Sequence, residues 1–217
     1  MTGRVTGPAN YDGGNPVVWA VCVRVLDLAL RLLGTVRIDG AEHVPRSGGA
    51  LLAANHVSHL DPVVLLLVAH RCGRKVRIMG VQEVHDRPLV GRFVRAGRHI
   101  PVVQGAPSRA PLRAAEEALA AGELVLVYPE GTIPEPRAEV AAKGGIGLLT
   151  SRAGVPVVPL RSRGLERGAL AGWRPWRRLS ASVRIGPPVA LPDVAHLRGS
   201  TRYTALGDAV LAAVRTL

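Results

Sequence analysis

The chain has 217 residues, 47% of them hydrophobic, which is enough for one domain with a sizeable core and excludes a disordered protein. Basic residues outnumber acidic ones by 28 to 16, and the net charge of +12 points to an anionic partner. Aromatic residues make up only 3%, with no base-stacking signature or zinc-finger spacing, so the expected anion is a membrane surface or a phosphorylated substrate and not nucleic acid. Cys22 and Cys72 lie in apolar surroundings without metal spacing and read as reduced thiols of a cytosolic protein. No apolar run is long and uncharged enough to predict a transmembrane span, and no secretory signal is read at the N-terminus.

Residues 1–15 mix Gly, Pro, Asn and Asp and are expected to be mobile. Residues 16–33 predict a helix in which Arg24, Asp27 and Arg31 share one face while the others are apolar. Two readings fit it: an amphipathic helix in a membrane interface with snorkelling Arg side chains, or a helix packed on the core. Residues 35–40 alternate as a strand, and 42–49 form a turn region with Pro45, Ser47, Gly48 and Gly49. Residues 50–54 are a buried strand, and a helix runs on to about Arg71. Further strands are expected at 75–79, 100–103, 124–128 and 155–160, with an edge strand at 181–185. Helices are expected at 88–96, 112–121, 144–152 and 201–217. Strands alternating with helices predict a single-domain α/β fold with a mostly parallel mixed sheet flanked by helices. Trp173–Arg178 is a basic aromatic loop, either a lipid-docking element or a capped surface loop.

Between the strand at 50–54 and its helix stand Asn55-His56-Val57-Ser58-His59-Leu60-Asp61. Ser58 suits an N-cap, and Asp61, three residues on, suits the acidic partner of a capping box. The same spacing lets the Asp61 carboxylate reach one nitrogen of His56 and leave the other outward as a general base. Both readings stand at this point. A metal site from His56, His59 and Asp61 is disfavoured, because ligands so close in sequence rarely reach good geometry. The strand at 124–128 likewise delivers Pro129-Glu130-Gly131-Thr132 to its carboxyl end, where open α/β sheets bind ligands. Lys143 stands at a Gly-rich helix start.

Asn55-His56-x4-Asp61, followed some 70 residues on by Pro129-Glu130-Gly131-Thr132, resembles the lysophospholipid acyltransferase family, the PlsC-like glycerolipid acyltransferases. Gly97–Val102 and Val155–Pro159 resemble two further family blocks, and the resemblance runs from about Ile38 to about Pro188. It implies an O-acyltransferase domain over 35–217, with residues 1–34 as a mobile N-terminus and membrane-associating helix. It implies transfer of a fatty acyl group from acyl-coenzyme A or acyl carrier protein to a lysophospholipid hydroxyl, as in phospholipid biosynthesis. No bound cofactor or metal is implied, and the protein is expected at the cytoplasmic face of the membrane, peripheral or monotopic. His56 is the implied general base and Asp61 its partner; Asn55, Glu130, Gly131 and Thr132 are the implied acceptor-site residues. An acyl-enzyme is not needed, so Ser58 is not expected to be a nucleophile. Two family Arg positions that bind the acceptor phosphate hold Gln104 and Ile133 here, and Lys143, Arg98 or Arg137 is the expected substitute, Lys143 first. Arg92, Arg95 and Arg98 are candidate contacts for donor phosphates, a solvated helix face being the favoured reading of Arg92 and Arg95. A lipid-binding protein that keeps the fold without catalysis, or an acyltransferase with another lysolipid or glycolipid acceptor, are the alternatives.

Overall fold

The β-branched and aliphatic runs form the centre of a seven-stranded sheet. The computed structural model describes residues 16–103, 109–134, 140–165 and 179–217. The strands are β1 (Gly34–Asp39), β2 (Ala50–Ala54), β3 (Val76–Val81), β4 (Ile100–Val102), β5 (Leu124–Val127), β6 (Val157–Arg163) and β7 (Leu179–Ile185). Their order is β1-β7-β6-β2-β5-β3-β4. Every neighbouring pair is parallel except β6 and β7, so the carboxyl ends of β6, β2, β5, β3 and β4 share one edge.

The helices are α1 (Pro16–Leu33), α2 (Asp61–Arg71), α3 (Gln82–His85), α4 (Pro88–Ala96), α5 (Ala110–Ala120), α6 (Gly144–Ala153) and α7 (Gly199–Thr216). Strand alternation sorts the core into two layers. Ala50, Leu52 and Ala54 of β2 face α1 and α2, together with Trp19, Val23, Leu65 and Val183. Leu51 and Ala53 face α5, α6 and α7, together with Leu119, Leu149, Val210 and Val214. The α6–α7 crossing is tight: a Cβ on Gly147 would lie 1.7 Å from the Tyr203 carbonyl oxygen, so only glycine fits.

Three features differ from the sequence expectation. First, β7 is not an edge strand; β1 and β4 hold the edges. Its alternation arises because Ala181, Val183 and Ile185 join the core while Ser180 and Arg184 are exposed on the other side. Second, β6 continues through Arg161, Ser162 and Arg163, polar residues that pair with β7 instead of ending the strand. Third, the short helix α3 follows β3 with no clear capping signal. The expectations for residues 1–15, Gln104, Arg137 and Trp173–Arg178 fall outside the described residues.

Helix α1 carries two apolar faces. Trp19 and Val23 are buried, whereas Val21, Val25, Leu28 and Leu32 are exposed. Asp27 receives both Arg31, at 2.7 Å, and Arg71 of α2, at 2.8 Å, which ties α1 to the domain. Among the described residues no helix is long and apolar enough to cross a membrane.

His99, just before β4, is buried beside the middle of β3 and against Trp19 of α1. Its Nδ1 accepts the Ile78 N–H at 2.9 Å, and Trp19 packs edge-on against its ring. Burial, with the positive charges of His85 and Arg77, holds its pKa down to about 3, against 6.5 ordinarily. Between those two values the unfolded chain binds a proton that the folded chain does not, so stability falls as pH falls from 6.5 toward about 3. His99→Asn keeps an acceptor for Ile78 and removes this titration. Thermal melts across that range should show the variant losing less stability with acid than wild type; parallel curves would contradict the assignment.

Candidate functional site

Strand β2 is flanked by β5 and β6, so the residues after its carboxyl end meet those after β5 and within the end of β6. Asn55 uses its whole carboxamide on β6. Its Nδ2 donates to the Ser162 carbonyl at 3.0 Å, and its Oδ1 accepts the Ser162 N–H at 2.7 Å. The side chain thereby extends the β2–β6 ladder by one rung and aims the next residue, His56.

Asp61, in the first turn of α2, has no exposed surface. A buried carboxylate needs several donors, and Asp61 has them. Its Oδ2 accepts the N–H groups of Val57 at 2.6 Å and Ser58 at 2.8 Å, and the His56 Nδ1–H at 3.1 Å. Its Oδ1 accepts the Ser162 hydroxyl at 3.5 Å. Only the acidic half of the expected capping box forms: Asp61 accepts the Ser58 N–H, and it holds His56 as well. The Ser58 hydroxyl accepts the Leu60 N–H at 3.0 Å and does not cap α2, whose N-cap is Leu60. An acceptor-only carboxylate at Nδ1 places the imidazole proton there and leaves Nε2 with its lone pair. Nε2 makes no hydrogen bond among the described residues.

Tyr128, just past β5, stacks under the His56 ring at 4.1 Å between centroids with 20° or less between planes, 19°. Its hydroxyl is buried without a partner among the described residues. Burial, with the negative charge of Asp61, raises its pKa well above the usual phenol value, so it stays protonated. The turn Pro129-Glu130-Gly131 closes the site from the β5 side. Glu130 is 8% exposed, and its Oε2 accepts the His56 N–H at 3.0 Å. Burial pushes its carboxyl up; the bond from His56 and the charge of Arg215 oppose this. Glu130 thus clamps the two loops together. Gly131 sits at φ 71°, and a Cβ there would lie 2.8 Å from Lys143 Cγ. The Lys143 N–H donates to the Pro129 carbonyl at 2.8 Å, which packs the lysine stem over the turn. Thr132 is exposed beside it.

The structure therefore brings Asn55, His56, Asp61, Glu130, Gly131, Thr132 and Lys143 to one edge. It does not bring the arginines there as a set. Arg98 precedes β4 and pairs with Glu123 at 3.8 Å, at the amino edge of the sheet. Arg95 donates to the His85 carbonyl. Arg92 is exposed on α4. Ser162 and Tyr128 are the site residues that sequence reasoning missed. Tyr128 adjoins the Pro-Glu-Gly turn, but only the β2–β5 pairing reveals its stack. Among the described residues no group of three His, Cys, Asp or Glu side chains is placed to hold a metal ion.

Two substitutions separate the Tyr128 ring from its hydroxyl. Tyr128→Phe removes an unpartnered buried group and should leave the melting temperature unchanged or higher. Tyr128→Ala removes the ring beneath His56 and should cost about 3–5 kcal/mol. Loss of more than about 1 kcal/mol in Tyr128→Phe, measured by denaturant unfolding, would show that the hydroxyl has a partner.

A model of the Acyltransferase family matches residues 35–163, more than half of the chain. A 1-acyl-sn-glycerol-3-phosphate acyltransferase of Bacillus subtilis is 24% identical over 200 residues, covering 92% of this chain and 96% of the relative. An uncharacterized protein of Mycobacterium tuberculosis is 29% identical over 178 residues, covering 75% of this chain and 48% of the relative. The chain thus spans about half the length of that mycobacterial relative. Among solved structures, the 1-acyl-sn-glycerophosphate (LPA) acyltransferase PlsC from Thermotoga maritima aligns with a TM-score of 0.67 at 22% identity. That alignment covers 92% of this chain and 79% of the other and extends the likeness to the fold. With the family match spanning both strand ends that carry the site, the chain belongs to the acyltransferase family.

Proposed function

We propose that this acyltransferase moves a fatty acyl group from a coenzyme A or carrier-protein thioester to the hydroxyl of a lysophospholipid, with His56 as general base. The observation that carries this reading is the His56 ring itself. Nδ1 is committed to the buried Asp61 carboxylate, and Nε2, on a side chain 16% exposed at the carboxyl edge of the sheet, makes no hydrogen bond among the described residues.

In this mechanism Nε2 takes the proton of the acceptor hydroxyl as its oxygen attacks the thioester carbonyl. Asp61 stabilises the imidazolium that forms. Collapse of the tetrahedral intermediate breaks the carbon–sulfur bond, and the imidazolium returns the proton to the leaving thiolate. The products are an ester and a free thiol, with no acyl-enzyme and no bound cofactor. The thioester is already activated, and the Ser58 hydroxyl is spent on Leu60. Lys143, beside Thr132 and the start of α6, is the proposed ligand of an acceptor phosphate in place of the Arg absent at Ile133. A lysophosphatidate-like acceptor follows from that cation; another lysolipid or a glycolipid hydroxyl remains the second reading because of Ile133. The exposed apolar face of α1 is proposed to lie in the interface of an anionic membrane, with Arg24 and Arg31 at the headgroups.

Thiol release from palmitoyl-coenzyme A, measured with lysophosphatidate, lysophosphatidylglycerol and a glycolipid as acceptors, tests the reading. Acceptor-dependent release is expected, and His56→Ala should lower it by about 10²–10⁴-fold. Release by His56→Ala equal to wild type would exclude base catalysis by this residue. No release with any acceptor, from either a coenzyme A or a carrier-protein donor, would favour the lipid-binding alternative.

A further inference from the structure

The side of the sheet that bears α5, α6 and α7 is not covered to its end. Helix α7 packs on β6 and β2, and among the described residues no helix packs on the same face of β7 and β1. That bare flank is polar and basic. Register places Thr35 beside Ser180, and Arg37 and Arg163 on either side of Ser182. These residues and Gly164 line a cleft of about 310 Å³. The two arginines stand two strand spacings apart, roughly 10 Å.

The other charges on this face are accounted for. Arg161 donates to the Arg215 carbonyl and Arg184 to the Leu217 carbonyl, so both are spent on the last turn of α7. Among the described residues of β1, β6 and β7 the one acid on this face, Asp39, lies beside Arg184 in the register. Arg37 and Arg163 form no ion pair among the described residues. Two unpaired guanidinia flanking hydroxyls, in a cleft rather than on a convex surface, suit phosphate oxygens.

We propose that the Arg37–Arg163 cleft binds the phosphates of the nucleotide end of a coenzyme A thioester; this deepens the acyl-transfer reading and rests on it. Position favours the donor over the acceptor. Arg163 ends β6 one residue past Ser162, which bonds Asn55 and Asp61; alternation turns it to the other face, so the cleft shares the carboxyl edge with His56 and lies on the face opposite Ser162. Its far wall, β1, is three strand spacings from β2, roughly 15 Å. A lysolipid phosphate is only a few bonds from the reacting hydroxyl and does not reach so far; a pantetheine arm does. Position also favours a dissolved ligand over a lipid headgroup. The exposed apolar face of α1 is on the opposite side of the sheet, so the cleft is turned away from the surface that α1 would contact. Two separated cations further match a ligand whose diphosphate and ribose phosphate are themselves separated.

Calorimetric binding to the full chain tests this without relying on turnover. The probes are coenzyme A, 3′-dephospho-coenzyme A, pantetheine and inorganic phosphate. Wild type should bind coenzyme A most tightly, and affinity should fall as phosphates are removed. Arg37→Gln/Arg163→Gln should weaken coenzyme A at least about tenfold and abolish the preference over pantetheine. Melting curves of the variant, and of each single substitution, establish that the fold is kept. Equal coenzyme A affinity in wild type and the folded double variant would overturn the proposal. So would wild-type binding to pantetheine as tight as to coenzyme A, or to an anionic-lipid vesicle lost in the variant while coenzyme A binding persists. Phosphate-dependent binding that the variant loses, in a protein that shows no acyl transfer, would keep this site and overturn the catalytic reading instead.

Discussion

A carboxylate with no exposed surface is costly, and the site is arranged around meeting that cost at Asp61. Two backbone N–H groups, an imidazole and a hydroxyl converge on it. The two backbone bonds set the conformation of residues 57 and 58, and the imidazole bond sets the tautomer of His56. Removing the carboxylate would therefore release the loop as well as the imidazole. The interactions around it serve the same end from other strands. Glu130 holds the His56 backbone from β5, Tyr128 supports its ring, and Asn55 and Ser162 fix the approach from β6. Three adjacent strands thus position one ring nitrogen, which sites on rigid elements do better than isolated loops.

The mixed direction of the sheet has a functional consequence. Because β7 runs against β6, no crossover helix is required between them, and among the described residues no helix packs on the outer face of β7 and β1. The basic excess of the composition is partly structural: Arg71 and Arg31 hold Asp27, Arg77 holds Glu123, and Arg161 and Arg184 hold α7. Among the described residues Arg37 and Arg163 form no ion pair, which is what the proposed phosphate cleft rests on.

Much of this arrangement was legible in the sequence where it depended on spacing within one element. The five-residue step from His56 to Asp61 needs only a loop and a first helical turn. The strand at 124–128 followed by a glycine turn announces a carboxyl-end site. Contacts between elements were less legible. Glu130 read as a ligand group, yet its oxygen meets the His56 N–H because β5 lies beside β2, which no local pattern encodes. Ser162 was hidden because Arg161, Ser162 and Arg163 look like the end of a strand. The alternation of 181–185 reported coverage on one side only and was mistaken for an edge. Arg98, a candidate for phosphate from its sequence block, pairs with Glu123 at the amino edge because α4 returns the chain there before β4 begins.

The central claim is that Asp61 fixes the His56 tautomer, with the proton on Nδ1 and the lone pair on Nε2. Nitrogen-15 NMR of the imidazole, assigned by its loss in His56→Gln, measures this directly. The account predicts that the uncharged imidazole carries its proton on Nδ1 and its lone pair on Nε2, with that preference lost in Asp61→Asn. A proton on Nε2 of the uncharged wild-type imidazole, or a tautomer indifferent to Asp61, would contradict it.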